Sequence, residues 1–425
     1  MIPIIPHLPF LYRKDPGMMV SFSIGRSSRT VRKMFVPISP DIWNMGRFAT
    51  VDDETIRKGE CTDIYFVRTE EVLRAAGKNP QAALEVTTGE LSHGWGIFCG
   101  LDDVLSLIEG HPVHIDALPE GTVFYPGEPV LRIEGTYTDF ARYETAILGF
   151  LCHASGIATA AAHIKMLAGD KAVYSFGSRR QHPSLAQMVE RAAWIGGVDG
   201  VSNTCAPEGV PQVGTMPHSF VMCYNSVDEA FSAFDRFAPL DVPRIFLCDT
   251  WCDEKRESLA GARCGGTGIR LDTPRSRRGN MRTILEEVRW ELDSAGYPEV
   301  RIVLSGGLKS EDIILYRDIV DAFGVGGAIA NAAVIDFAMD IVSIDDRRCA
   351  KRGKKSGRKQ VWQMSDMTHI VLPEGDLEPS GSTPLLEQYI RDGVVLKRSI
   401  LSDARKRVST FIKRTDASTP NRYPQ

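Results

Sequence analysis

The chain has no CxxC pair among its nine cysteines (61, 99, 152, 205, 223, 248, 252, 264 and 349), and their number is odd. A closed disulfide framework and a cysteine knuckle for structural zinc are both disfavoured, and thiols scattered in this way suit a reducing, cytoplasmic setting. A basic excess is also missing. Fifty Lys and Arg stand against 54 Asp and Glu, a formal charge of −4, so no global field advertises nucleic-acid binding. The dinucleotide fingerprint is lacking too, because the glycine-rich stretch Gly324-Val325-Gly326-Gly327-Ala328-Ile329 ends on isoleucine. One run, Thr145 to Ile164, has twenty residues without Asp, Glu, Lys or Arg. Its length admits a membrane span. His153, His163, Ser155, Thr159, Gly149, Gly156 and its many alanines make a buried core helix the better reading, and no membrane partner is expected.

What is present is an ordinary soluble composition, 43% hydrophobic and 24% charged over 425 residues, enough for two or three domains. Prolines at 3, 6, 9 and 16 break any signal-type apolar stretch, and Arg26, Arg29, Arg32 and Lys33 follow among serines. Residues 1–33 therefore read as a disordered tail, or as sequence upstream of a start at Met34, rather than as a targeting signal. From Asp53 to Gly110 a short aromatic run precedes an amphipathic helix over Val67 to Ala76. Leu118 to Tyr137 carries β-branched runs punctuated by Pro119, Gly121, Pro126-Gly127 and Pro129, which predicts a small antiparallel hairpin.

Between Ala172 and Val342 apolar runs alternate with helical patterns. The runs are 173–178, 198–203, 213–220, 244–250, 268–273, 301–307 and 323–327, with helices expected near 185–195, 227–236, 253–264, 280–296 and 310–320. This order predicts about seven parallel strands with crossover helices, closed into an irregular TIM-like α/β barrel. The expected organisation is an N-terminal α+β domain over 34–145 and the barrel with its mouth over 146–345. A C-terminal segment, 346–425, then completes the α+β domain. Lys351 to Lys359 packs six cations into nine residues, which suits a solvated loop as well as an anion-facing one. A last amphipathic segment runs from Leu385 to Val408.

A parallel barrel converges its strand ends on one mouth. Those ends offer Ser178, Arg179, Arg180 and His182, then Thr215 and His218, then Asp249 and Asp272, then Ser305-Gly306-Gly307 and Gly326-Gly327. Glycine pairs at the last two strands let backbone N–H groups approach a phosphate, although tight turns need glycine anyway. The two aspartates suit Mg²⁺ or a sugar diol, or else a capping role. The arginine pair makes a fork for a carboxylate or phosphate, or a surface ion pair. His218 after Pro217 suits a nucleophile or base, or a structural role. Together these groups suit ribosyl transfer from a pyrophosphorylated sugar to an acidic heterocycle.

The strings SFGSRRQHP, RAAWIGGVDGVSN, VGTMPHS, RLDTPRSRRGN, EEVRWELDSAGY, SGGL, FGVG and DFAMDIV, with KGECTDIYFVRT, ALPEGTVFYPGEPVLRIEG and KRGKKSGRKQV, resemble the archaeal-type nicotinate phosphoribosyltransferases in order. The similarity covers roughly Phe48 to Val361. It implies an α+β domain built from both chain ends, packed on an irregular barrel, in a homodimer or higher homo-oligomer with shared sites. The implied reaction joins nicotinate and phosphoribosyl pyrophosphate into nicotinate mononucleotide and pyrophosphate, driven by ATP hydrolysis with Mg²⁺. By resemblance His218, flanked by Thr215 and Ser219, is the histidine phosphorylated by ATP. Arg179 and Arg180 hold the nicotinate carboxylate, and Tyr65 reaches the ring from a neighbouring subunit. Asp249 and Asp272 lie by the ribose or Mg²⁺, and Gly306, Gly307, Gly326 and Gly327 cradle the 5′-phosphate. Relatives carry a cysteine zinc knuckle after the Gly-Arg-Lys segment. Here no cysteine follows Cys349, so no zinc is expected and the local fold of 363–384 is open. Gly327 also replaces a family threonine. The rivals are a quinolinate or nicotinamide phosphoribosyltransferase and a non-catalytic nucleotide-binding descendant.

Overall fold

Six parallel strands make the barrel: Ala172–Ser175, Gly200–Val201, Ile245–Leu247, Gly268–Leu271, Arg301–Leu304 and Ala322–Val325. Numbered along the chain, they lie in the order second, first, sixth, fifth, fourth, third, an open and curled half-barrel. The computed structural model describes residues 48–251 and 253–415, so the basic N-terminal segment 1–33 lies outside the described residues. Everything from Val51 onward belongs to one unit. The strands are short apolar runs because both faces are covered: all four residues of the sixth are buried, and three of four in the fifth. Crossover helices Ala186–Ile195, Val227–Phe237, Glu254–Arg263, Met281–Ser294 and Ser310–Tyr316 follow the expected pattern. Three are capped by side chains, from Ser226, Asp253 and Asn280.

The expected third strand, 213–220, is not one. Prolines 211 and 217 remove ladder donors, and Gly214 sits at φ 136°. What remains is an extended stretch bridged at Val201 and Gln212, followed by the short helix His218–Met222.

The second layer is a seven-stranded sheet in the order 347–348, 337–344, 81–88, 131–136, 113–117, 387–391, 394–395. Segments before and after the barrel thus interleave in one α+β unit. Two local expectations are corrected by it. Residues 118–137 form no hairpin of their own: Val123–Phe124 pairs with Gly96–Ile97, while Leu131–Thr136 lies between Gln81–Thr88 and Val113–Ala117. The segment 385–408 supplies two strands, Glu387–Arg391 and Val394–Val395, before the helix Leu401–Arg414 begins. The N-terminal helix also starts earlier than expected, at Ile64, and absorbs the aromatic run. Residues 363–384 fold as antiparallel strands around Lys359–Gln363. His369 faces Glu128 there at 3.0 Å and packs edge-on against Tyr125.

The uncharged run lies within the helix Glu144–Ala168, which joins the two cores. Ile147 and Leu151 pack into the α+β core, and Ile157, Ala158 and Ala161 into the barrel core. Its polar residues bind protein: Thr159 Oγ1 accepts from Ile97 N at 2.9 Å, and Ser155 Oγ from Cys99 N at 3.0 Å. Gly156 is required by a close approach, since a Cβ there would lie 2.4 Å from the Ala333 carbonyl oxygen. The basic run is mostly a brace across the sheet. Lys351 and Lys354 grip Asp340, Arg358 pairs with Glu134, and buried Lys359 donates to Glu85 at 2.7 Å.

Glu120 ties the layers together. Its buried carboxylate accepts from Gly100 N and Leu101 N at 2.7 and 3.1 Å, and takes both ends of the Arg191 guanidinium at 3.0 and 2.5 Å. Burial pushes its pKa upward, but the Arg191 hydrogen bond and charge, with the Gly100 amide, hold it net below the usual carboxylate range. A depressed folded pKa means that the stabilisation is complete above the unfolded value and is lost as pH falls through the folded one. Glu120→Gln is expected to lower unfolding free energy by about 3–5 kcal/mol at neutral pH. The gap between variant and wild type should shrink below about pH 4. Denaturant unfolding at both pH values checks this, and a gap independent of pH would refute it.

Candidate active site

The third and fourth barrel strands end in Leu247 and Leu271, and the chain then turns outward at Asp249 and Asp272. Asp249 is held on one oxygen only: Oδ2 accepts from Asp272 N at 2.5 Å and from Thr273 Oγ1 at 2.9 Å. Its Oδ1 is buried without a hydrogen-bond partner among the described residues. Burial pushes the Asp249 carboxyl above its ordinary pKa; the Asp272 amide, the Thr273 hydroxyl and His218 pull against it. His218 opens the short helix 218–222, with Nδ1 3.1 Å from Thr250 Oγ1. Its Nε2 lies 3.8 Å from Asp249 Oδ1 and 3.9 Å from Asp272 Oδ2. The contact with Thr250 fixes Nδ1 and leaves Nε2 turned toward the two carboxylates.

The fifth strand adds Ser305, Gly306 and Gly307. Gly306 sits at φ 98°, and a Cβ on it would lie 2.8 Å from Asp272 Oδ1, so only glycine fits beside that acid. Ser305 is buried and its hydroxyl is 3.3 Å from the Leu271 carbonyl. Gly326 precedes the short helix 327–330. At Gly327 a Cβ would lie 3.3 Å from Asn331 Nδ2, and Asn331 in turn accepts from Gln181. Glycine there is thus paired with a close asparagine.

The other predicted residues have no recorded hydrogen bond or ion pair with this set. Arg179 and Arg180 are exposed just past the first strand. His182 is exposed and bonds Ser184. Thr215 donates to the Ile245 carbonyl at 2.6 Å, and Ser219 is exposed. Tyr65 lies on the N-terminal helix, with its hydroxyl on Asp63 and its ring against Phe66.

The structure adds residues that the sequence reading passed over. Arg270, inside the fourth strand, donates Nη2 to the Met216 carbonyl at 2.6 Å and leaves Nε buried without a partner. Its guanidinium stands 5.9 Å over the Phe176 ring. Beside it is a cavity of about 170 Å³ lined by Tyr174, Phe176, Val213, Thr215, Ile245 and Arg270. That is space for one small ring. The available signal was an arginine at an inward position of an otherwise apolar run, Gly268-Ile269-Arg270-Leu271.

This mouth has known counterparts. The sequence pattern of the quinolinate phosphoribosyl transferase N-terminal domain matches residues 63–155, and that of its C-terminal domain matches 157–340. A nicotinate-nucleotide pyrophosphorylase from Pyrococcus furiosus is 45% identical, with a TM-score of 0.85 over 87% of this chain and 99% of that one. The chain belongs to the nicotinate/quinolinate phosphoribosyltransferase superfamily. A nicotinate phosphoribosyltransferase of Mycobacterium tuberculosis is 28% identical over 323 residues, covering 70% of this chain and 71% of the relative. Human nicotinic acid phosphoribosyltransferase shares the fold at 18% identity, with a TM-score of 0.68 over 85% of this chain and 96% of the human one.

Asp249 combines a buried, unpartnered oxygen with a position beside His218. Asp249→Asn keeps an oxygen for Asp272 N and Thr273 Oγ1 while removing a buried charge. The expected outcome is unchanged or raised thermal stability with at least about a hundredfold lower kcat, the trade-off expected of a strained functional group. Melting curves and initial rates on the same preparation check it. A variant that is destabilised as well would assign Asp249 to the scaffold.

Proposed function

We propose that the protein is a nicotinate phosphoribosyltransferase that forms nicotinate mononucleotide and pyrophosphate from nicotinate and phosphoribosyl pyrophosphate, coupled to ATP hydrolysis in the cytoplasm. The observation that carries this reading is His218, held by Thr250 on Nδ1 and facing Asp249 and Asp272 with Nε2 at the barrel mouth. A histidine oriented in this way accepts a phosphoryl group on Nε2. In the transfer step the pyridine nitrogen of nicotinate attacks C1 of the sugar as the bond from C1 to the pyrophosphate oxygen breaks. The transition state resembles an oxocarbenium ion, which nearby carboxylates stabilise.

Asp249 and Asp272 would hold Mg²⁺. The unpartnered buried Oδ1 of Asp249 and the half-exposed Asp272 carboxylate make a hard-oxygen donor set that fits it. When bound, Mg²⁺ neutralises charge on the leaving pyrophosphate. Gly306, Gly307, Gly326 and Gly327 leave the backbone open to the 5′-phosphate, and exposed Arg179 and Arg180 suit phosphate oxygens. We assign the nicotinate carboxylate to Arg270 rather than to that exposed pair. Its unsatisfied Nε and the aromatic walls of Tyr174 and Phe176 fit a flat ring bearing one anion. An amide would leave the guanidinium unpaired, which disfavours nicotinamide.

A quinolinate phosphoribosyltransferase is the second reading, favoured by the matched domain patterns. Arg270 is the one cation among the lining residues of the ring cavity, which Asp241 also lines, and this balance suits one carboxylate better than two. Purified protein given nicotinate, nicotinamide or quinolinate with phosphoribosyl pyrophosphate, with and without ATP, separates the readings. Nicotinate consumption stimulated by ATP is expected; ATP-independent carbon dioxide release from quinolinate would support the second. His218→Ala is expected to abolish ATP stimulation and leave slow basal transfer, and intact coupling would refute the phosphohistidine role. Arg270→Ala is expected to raise the KM for nicotinate by about 10–100-fold and erase the preference for acid over amide. An unchanged preference would return the carboxylate to Arg179 and Arg180.

A further inference from the structure

Trp251 is a large aromatic on the turn that carries Asp249 and Thr250, and the transfer reaction leaves it without a role. It is 54% exposed, although tryptophan side chains are ordinarily well covered. Its backbone is fixed. The N–H groups of Thr250 and Trp251 donate to the two carboxylate oxygens of Glu257 at 2.8 and 2.7 Å. Glu257 is fully buried on the helix Glu254–Arg263. Three consecutive residues past the third barrel strand thus have separate anchors: Asp249 on the Asp272 amide, Thr250 on His218, and Trp251 on Glu257. The Cα of Trp251 lies about 3.8 Å along the chain from that of the residue holding the His218 ring. The third strand is also an edge of the sheet, and this turn follows it directly. An aromatic face presented on a pre-ordered backbone loses little entropy on stacking against a ligand ring.

We propose that Trp251 is the stacking platform for the purine base of the ATP that phosphorylates His218. This rests on the ATP-coupled reading above and adds the residue that recognises the base. In that step Nε2 of His218 bonds to the γ-phosphorus as the bond to the β,γ-bridging oxygen breaks and ADP leaves. Trp251 takes no part in the bond changes and acts by holding the base.

Calorimetry on the full chain with ATP and with inorganic tripolyphosphate, each with Mg²⁺, tests this. Wild type is expected to bind ATP at least about tenfold more tightly than tripolyphosphate, equal to about 1.4 kcal/mol, within what base–aromatic stacking supplies. Trp251→Ala is expected to bring ATP down to the tripolyphosphate affinity with that of tripolyphosphate unchanged, and Trp251→Phe to keep the preference. If wild type prefers ATP and Trp251→Ala keeps that preference, the platform is refuted while ATP coupling stands. If Trp251→Ala changes only the oligomeric state, the residue belongs to a subunit contact and the proposal is overturned. If wild type binds no ATP, both readings fail.

Discussion

The buried carboxylate of Glu120 is the constraint on which the arrangement of the layers depends. Gly100, which precedes the helix Leu101–Ile108, sits at φ 97° and has no side chain to cap it, so Glu120 satisfies the first amides of that helix from across the chain. The same carboxylate takes Arg191 from a barrel crossover helix, and Arg191 also reaches Asp102 on the capped helix. The Glu120 carbonyl accepts from Arg407 of the C-terminal helix. One residue thus joins the α+β unit, the barrel and the last helix. A buried charge of this kind adds little net energy over an apolar substitute, but any arrangement that separates its partners leaves an uncompensated ion, so it selects one packing.

That packing extends to the mouth through a single helix. Ala186–Ile195 carries Arg191 and, beside it, Glu190, a fully buried carboxyl. Burial raises the pKa of Glu190, offset in part by the Ser175 and Ser178 hydroxyls and the Asn203 amide. Ser178 and Asn203 are hydrogen-bonded to each other at 2.9 Å beneath the turn that presents Arg179 and Arg180. Adjacent residues of one helix therefore address the domain junction and the floor of the site. The long helix 144–168 adds a second link, since its two halves belong to different cores.

The crossover pattern was readable because parallel strands covered on both faces are continuous apolar runs, which helical spacing separates cleanly. It failed where local and tertiary preferences diverge. The 213–220 run has strand-like side chains but contains Pro217 and follows Pro211, and 385–408 has a helical pattern whose first half is recruited as a strand beside Val113–Ala117. The basic run was ambiguous because its partners Glu85, Glu134 and Asp340 are more than two hundred residues away or on another strand, and pairing at that range leaves no local trace. In the site, the acids and His218 were visible as polar residues ending apolar runs. Arg270 was passed over because it lies inside a run and not at its end, so that its only trace is one charged residue in an otherwise apolar strand.

The two oxygens of Asp249 state the logic of the mouth most directly. One is saturated by an amide and a hydroxyl that hold the fourth strand end in register; the other is buried and faces His218 with no donor of its own. A fold seeking only stability would replace such a group by a neutral one, because burial works against its charge. Arg270 repeats the pattern with opposite sign, a guanidinium with an unpartnered Nε beside an aromatic cavity. Unsatisfied polar atoms of both signs on neighbouring strands suit a ligand that brings its own complement, which under the proposed reaction is a cation-bearing pyrophosphate for one and a carboxylate-bearing ring for the other. Under that reaction the mouth would be electrostatically complete only in the reacting complex, which is where catalysis requires its stabilisation to be greatest.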